Sequence, residues 1–185
     1  QVDETADSLI RAGTLKSFII VAVSNTSDRS TEYSYGSKAE LYAQYLIEQV
    51  LPYVRERYPI AEGPENTAVM GSSMGGLSSF VLAWEHPEVF GKAACLSPAF
   101  KLEEYDYVSK AAKMKQPVPL PSFYIDNGTE DLEARLQAGI DDMKAYLTQE
   151  NIPFTWYLAE GAKHNEGAWA DRLDIPLRWL FGLEN

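Results

Sequence analysis

The stretch that decides the fold is Asn66 to Trp84, NTAVMGSSMGGLSSFVLAW. Asn66 to Met70 has the apolar composition of a short buried strand, and Met74 to Trp84 predicts a helix. The turn between them is Gly71-Ser72-Ser73-Met74-Gly75-Gly76, a G-x-S-x-G pattern with Ser73 at its centre. The bare pattern is only suggestive, but a strand before it and a helix after it are what a nucleophile elbow requires.

The elbow gives each residue of this turn a physical role. Ser73 must adopt a strained backbone conformation, so that its hydroxyl projects above the sheet. Glycine is expected at 71 and 75 because side chains two residues to either side would collide. The following helix directs its free amides at the site, and the Met74 N–H is the natural oxyanion donor. The alternative is an ordinary Gly/Ser-rich turn between strand and helix.

Outward from this stretch, short apolar runs alternate with long amphipathic ones, which predicts an α/β chain with a mainly parallel sheet. The run Ser17–Val23 is continuously apolar, as is typical of a strand buried on both faces. Strands are expected at Ser17–Val23, Asn66–Met70, Gly91–Leu96, Ser122–Asp126 and Phe154–Leu158. Helices are expected at Asp3–Ala12, Lys38–Tyr58 (kinked or restarted at Pro52), Met74–Trp84, near Tyr105–Met114, Leu132–Asn151 and Ala168–Phe181. No linker divides the chain, so residues 1–185 are expected to form a single catalytic domain.

A serine nucleophile needs a general base, and the chain offers two histidines. His86 stands before Pro87, where a helix must stop, so it is expected to cap that helix. His164 lies in a polar loop directly after the last strand. His164 is therefore the predicted base.

The base in turn needs a carboxylate to orient it, and the segment after the fourth strand offers three. Asp126 ends the strand, whereas Glu130 and Asp131 follow the turn at Asn127-Gly128. Asp131 is favoured, with Glu130 next, although Asp131 could equally cap the following helix. The order Ser73, Asp131, His164 is that of α/β-hydrolases, and all three follow the carboxyl ends of predicted parallel strands.

Composition excludes several other classes of function. The 185 residues carry a net charge of -11, which repels phosphate backbones and anionic membrane surfaces. No apolar run approaches the roughly 20 residues that span a bilayer. Two histidines and one cysteine cannot build a four-ligand structural zinc site, and Cys95, within an apolar run, is expected to be a buried, inert thiol.

With these motifs the chain resembles the putative-esterase family of α/β-hydrolases, which includes esterase D-like, feruloyl-esterase-like and enterochelin-esterase-like enzymes. The resemblance covers nearly the whole chain. It rests on the segments Asp28–Tyr33, Gly71–Gly76, His86–Gly91, Gly128–Asp131 and His164–Trp169. It implies hydrolysis of small-molecule esters through Ser73, Asp131 and His164, with no metal or organic cofactor.

The chain departs from the family at its start. Members carry, before the point that matches Gln1, a mid-sheet strand and a loop that supplies a second oxyanion amide. The matching sheet here would have a gap, and unpaired strand edges recruit other strands. We therefore expect either an upstream segment or self-association to complete the sheet.

Three functions remain open from the sequence. A serine esterase is favoured, an acyltransferase would use the same residues with an alcohol in place of water, and an inactive fragment or interaction module is the third. Phe100 and Trp169 are candidates for lining the substrate pocket. The acidic surface fits the cytoplasm as well as a bacterial exterior.

Overall fold

The computed structural model describes residues 1–103 and 105–183, which form a four-stranded parallel sheet between layers of helices. The strands are β1 (Ala68–Ser72), β2 (Lys92–Leu96), β3 (Lys101–Leu102), β4 (Tyr105–Asp106), β5 (Ser122–Asn127) and β6 (Phe154–Leu158). The helices are α1 (Val2–Arg11), α2 (Arg29–Glu32), α3 (Ser37–Tyr45), α4 (Leu51–Arg57), α5 (Met74–Glu85), α6 (Tyr107–Ala111), α7 (Leu132–Gln149), α8 (Glu166–Ala170) and α9 (Asp174–Phe181).

The main sheet has the order β1-β2-β5-β6, and β3 and β4 form a separate antiparallel pair. The register brings the carboxyl ends of its strands to one edge: Ser72 pairs with Leu96, Leu96 with Asp126, and Asn127 with Leu158. Loops that follow the four strands therefore meet at this edge, where open parallel sheets place their sites.

Successive residues of the central strands face opposite helix layers, as the period of two requires. Ala93, Cys95, Phe123 and Ile125 belong to the core shared with α5 and α7, whereas Ala94, Leu96 and Tyr124 belong to the core shared with α9. Helix α5 is buried along most of its length, from Gly76 to Trp84. This burial fixes the helix whose first residues adjoin the candidate nucleophile.

The strand expected at Ser17–Val23 is not formed, which corrects that prediction. Among the described residues β1 pairs only with β2, so the apolar run has no neighbouring strand to complete a ladder. Residues 17–23 instead follow an irregular path, and Ile19, Ile20 and Val21 are 44–46% exposed. A continuous apolar run indicates burial, but it cannot supply the partner that makes it a strand.

Two long helices expected from the sequence are each divided. A π-helical turn at Leu46–Val50 separates α3 from α4, beside Pro52, which has no N–H to donate to the carbonyl of Glu48. The closing helix is split into α8 and α9, and a short helix, α2, lies in the expected loop Asn25–Gly36.

Cys95 is fully buried in β2, and burial raises the pKa of its thiol, as an inert thiol requires. Within the described ranges, no helix has the length and apolarity needed to cross a bilayer.

Candidate active site

Ser73 sits at the junction of β1 and α5 in a strained backbone conformation. Its φ of 56° and ψ of -123° lie in a region that L-residues rarely adopt. The surroundings hold the strain in place, because its N–H donates to the carbonyl of Leu96 and its carbonyl accepts from the Leu77 N–H. The expected turn between strand and helix is thus formed, with Ser73 as the N-cap residue of α5.

The glycines around Ser73 have different reasons for being there. A Cβ on Gly71 would lie 2.5 Å from the carbonyl oxygen of Gly75, so a side chain at 71 collides with the turn as expected. A Cβ on Gly75 would meet no atom within 4 Å, so the collision expected there is not found. A Cβ on Gly76 would lie 3.0 Å from the Leu96 carbonyl oxygen. Gly71 and Gly76 therefore permit close approach of the backbone.

His164 reaches Ser73 from the loop after β6. Its Nε2 lies 2.8 Å from Ser73 Oγ, and its side chain is 12% exposed. The Trp169 ring and the imidazole pack in a T-shaped arrangement, with ring centroids 4.9 Å apart. The predicted nucleophile and the predicted base are thus within hydrogen-bond distance.

The carboxylate at His164 belongs to Glu133, which the sequence reasoning missed. Glu133 Oε2 lies 2.9 Å from His164 Nδ1, and its side chain is fully buried. Glu133 lies in the first turn of α7. An acidic residue in the first turn of a helix is common, so residue type alone does not single out Glu133. The signal that could have found it is its position just past the turn after β5.

The three carboxylates weighed from the sequence lie elsewhere, which corrects the choice of Asp131. Asp131 is the N-cap residue of α7 with a 64% exposed side chain, and its nearest charged partner is Lys163, 3.9 Å away. Glu130 is exposed as well. Asp126 is fully buried and pairs with Arg172. Asp131 is not the carboxylate at His164, because its backbone turns the side chain outward two residues before Glu133.

The loops that carry Glu133 and His164 are bound to each other. The N–H groups of Thr129 and Glu130 both donate to the Ala162 carbonyl, and the Gly161 N–H donates to Thr129 Oγ1. Gly128 lies so close to the Ala162 carbonyl that a Cβ would overlap it. These contacts fix the separation of the two loops.

A buried polar cluster lies behind Glu133. Ser97 Oγ donates to Glu133 Oε1 over 2.6 Å and accepts from Arg172 Nη2 and Trp169 Nε1. Arg172 also donates from Nε and Nη2 to the two carboxylate oxygens of Asp126. Burial raises the pKa of Asp126, and the hydrogen bonds and charge of Arg172 act in the opposite direction.

A donor for a developing oxyanion is available beside Ser73. The Met74 N–H opens α5, and no acceptor among the described residues takes it up. The amino-terminal end of the helix adds partial positive charge at the same point. The Met74 amide is therefore free to bind an oxygen atom of a ligand.

The three remaining residues singled out from the sequence lie in three different environments. Phe100 is fully buried and packs against Phe80, with ring centroids 5.0 Å apart, so it is a core residue and not a pocket residue. His86 is the C-cap residue of α5, as expected. Trp169 is at the site, where its indole N–H and ring contact Ser97 and His164.

Solved structures of other proteins share this fold. The enterobactin esterase of Shigella flexneri superposes with a TM-score of 0.74 at 19% identity, over 94% of this chain and 46% of the other. A ferulic acid esterase of Anaeromyces mucronatus gives a TM-score of 0.66 at 20% identity, over 90% and 66%. The expected α/β-hydrolase-type fold is thereby confirmed.

Sequence comparison gives the family. A protein of Xylanibacter ruminicola named endo-1,4-beta-xylanase/feruloyl esterase is 23% identical over 179 residues, which are 95% of this chain and 23% of that protein. The chain therefore spans about a quarter of this relative. The model of the family described as "Putative esterase" matches residues 1–179, and the chain accordingly belongs to that family.

Proposed function

We propose that the protein hydrolyses carboxylic esters through an acyl-enzyme on Ser73, with His164 as general base and Glu133 as the carboxylate that orients it. The observation that carries the proposal is the continuous hydrogen-bonded chain from Ser73 Oγ through His164 to Glu133, at 2.8 and 2.9 Å. Membership of the esterase family and the fold shared with feruloyl and enterobactin esterases support it.

The first half of the reaction follows from the direction of these hydrogen bonds. Glu133 is an acceptor, so it selects the tautomer with the proton on Nδ1 and leaves Nε2 free to accept the Ser73 proton. Ser73 Oγ attacks the ester carbonyl, and the new oxyanion accepts from the Met74 N–H. The C–O bond then breaks, and the alcohol leaves with the proton held by Nε2.

The second half uses the same groups with water as the nucleophile. Water gives a proton to Nε2 and attacks the acyl carbon, and the bond to Ser73 Oγ breaks. Ser73 recovers the proton and the carboxylic acid is released. During both halves the imidazolium is stabilised by a buried cluster in which two carboxylates, Glu133 and Asp126, face one guanidinium, that of Arg172.

The substrates proposed are small-molecule carboxylic esters. We also propose that the free edge of β1 accepts another strand. For the 185-residue chain by itself, a second copy supplies it, because β1 pairs on one side only within the described residues.

A fluorophosphonate probe tests the nucleophile directly. The native chain is expected to take up one label on Ser73, and Ser73→Ala to lose both labelling and hydrolysis of a short p-nitrophenyl ester. Ser72→Ala is the matched control, since it removes the neighbouring hydroxyl and should keep both. Labelling that persists in Ser73→Ala would overturn the assignment.

A further inference from the structure

We infer that Ser97 and Arg172 are positioning residues that hold the Glu133 carboxylate correctly oriented toward His164; this inference rests on the proposed function. Both residues are buried, neither touches His164, and each lies within 4 Å of the Glu133 carboxylate that does. Neither belongs to the chain of three groups from Ser73 to Glu133.

The hydrogen-bond inventory of Ser97 leaves only one orientation for its proton. A serine hydroxyl has one donor and two acceptor positions. Arg172 Nη2 and Trp169 Nε1 carry only N–H donors, and they lie 2.9 and 3.0 Å from Ser97 Oγ. They occupy both acceptor positions, so the O–H must point at Glu133 Oε1, 2.6 Å away.

The backbone of Ser97 is fixed as firmly as its side chain. Its φ of 43° lies in the left-handed region, and its N–H is shared between the carbonyl oxygen and Oδ1 of Asp126. Ser97 directly follows β2 and therefore stands between the loops after β1 and β5. A non-glycine residue in this uncommon conformation persists only where its surroundings hold it, and here both the N–H and the hydroxyl of Ser97 are hydrogen-bonded.

Arg172 completes the arrangement by setting the local charge. Its guanidinium donates to both carboxylate oxygens of Asp126, and its Nη2 lies 3.9 Å from Glu133 Oε1. The charged and titratable groups facing Glu133 are thus Arg172 and His164, with Asp126 behind Arg172. Two buried carboxylates without this cation would compete for protons, and a protonated Glu133 could no longer accept from Nδ1.

The role of these residues predicts a specific kinetic signature. Removing the Ser97 donor makes the Glu133 anion less stable, so the Glu133–His164 pair binds its next proton more readily. The acid limb of the pH profile of kcat/KM should therefore move to higher pH, by about 1 to 2 units for the loss of one hydrogen bond to a charged group. KM should change less than about twofold, because Ser97 is fully buried.

The experiment compares Ser97→Ala with Ser8→Ala, a change to an exposed serine of α1. Ser97→Ala is expected to lower kcat roughly tenfold at neutral pH and to shift the acid limb upward, whereas Ser8→Ala should do neither. A lower kcat with an unmoved limb would show a merely structural role and overturn the inference.

A second variant guards against failure of Ser97→Ala to fold. Asp126→Asn/Arg172→Met removes the cation near Glu133 together with its partner charge, and should shift the acid limb in the same direction. An unmoved limb here also overturns the inference. The native chain and both variants are labelled with the fluorophosphonate probe at alkaline pH. Absence of labelling on Ser73 in the native chain would overturn the proposed function. Normal labelling with an unmoved pH profile would overturn only the role of Ser97 and Arg172.

Discussion

Glu133 Oε2 and His164 Nδ1 lie 2.9 Å apart across the carboxyl ends of β5 and β6. The residues of the site lie along one edge of the sheet, each in the segment that follows a strand. Ser73 follows β1, Ser97 follows β2, and Glu133 and His164 lie after β5 and β6. Each strand of the sheet thus places one member of a continuous hydrogen-bonded set, which runs from Ser73 to His164, then to Glu133 and Ser97.

The contact between Glu133 and His164 predicts which carboxylate matters for the rate. Glu133→Gln keeps the shape but can offer an N–H to Nδ1, and so favours the wrong tautomer. We expect kcat to fall by about 10² to 10⁴, since a wrong tautomer costs about 10⁴ elsewhere. Asp131→Asn is the matched control and should change kcat less than about threefold. Steady-state kinetics on a p-nitrophenyl ester measures both, and the reverse ranking would restore Asp131.

Sequence reasoning located the loop of this carboxylate but not the residue, for a local physical reason. Asp131 has φ 55° and ψ -125°, nearly the conformation of Ser73. An ordinary N-cap residue has an extended backbone, and Asp131 does not. The left-handed turn instead directs Asp131 to solvent and brings Glu133 over the end of the sheet. No propensity scale signals a positive φ at an aspartate.

The strands of the sheet were likewise predictable only where local sequence decides their structure. The bounds of β5 and β6 were predicted to within a residue, because their apolar runs are short and end at turn residues. Ser17–Val23 is more continuously apolar than either strand, yet it has no partner strand among the described residues and is irregular. Local composition sets strand propensity, whereas pairing depends on residues far away in the sequence.

The turn at Ser73 predicts opposite effects on stability when the glycines two residues to either side of it are replaced by alanine. Gly71→Ala places a Cβ 2.5 Å from the Gly75 carbonyl oxygen, which is backbone and cannot move aside, so we expect a loss of about 1–3 kcal/mol in the free energy of unfolding. Gly75→Ala meets open space within the first turn of α5 and should be neutral or stabilising by up to about 1 kcal/mol. Urea denaturation of the two variants measures the difference, and equal losses would contradict the steric account.

The buried pair of Asp126 and Arg172 predicts a stability that depends on pH. Arg172→Met leaves Asp126 buried without a cation, so we expect a loss of about 3–5 kcal/mol at neutral pH. Burial already raises the pKa of Asp126, whereas the hydrogen bonds and charge of Arg172 lower it. Removing Arg172 therefore raises that pKa further. In the folded variant Asp126 then keeps a proton that it releases in the unfolded chain. The free energy of unfolding of the variant therefore rises as the pH falls toward about 3.9.

The matched control for Arg172→Met neutralises both partners. Asp126→Asn/Arg172→Met leaves no unpaired charge from the pair and should recover part of the lost stability at neutral pH. Its free energy of unfolding should also lack the rise toward acid pH that we expect for Arg172→Met. Thermal unfolding of both variants between pH 4 and 8 measures this, and a single variant whose loss is the same at every pH would show that Asp126 does not carry the effect.

The free edge of β1 predicts the behaviour of the 185-residue chain in solution. Within the described residues β1 pairs only with β2, and the apolar side chains of Ile19, Ile20 and Val21 are nearly half exposed. They line a groove of about 750 Å³ together with α3, α4 and the π-helical turn between them. Exposed strand edges and apolar patches of this kind recruit further polypeptide.

We therefore expect the isolated chain to self-associate, and to hydrolyse a p-nitrophenyl ester more slowly than ordinary esterases while it is monomeric. Light scattering coupled to size-exclusion chromatography gives the mass, and the assay is run across the same dilution series. Ile20→Lys places a charge in the exposed run and should shift the mass toward the monomer. Ala145→Lys, at an exposed position of α7, which packs near β5, is the matched control for added charge. A native chain that stays monomeric and is as fast as ordinary esterases would show that β1 needs no further strand, because the site would then be complete with its edge open.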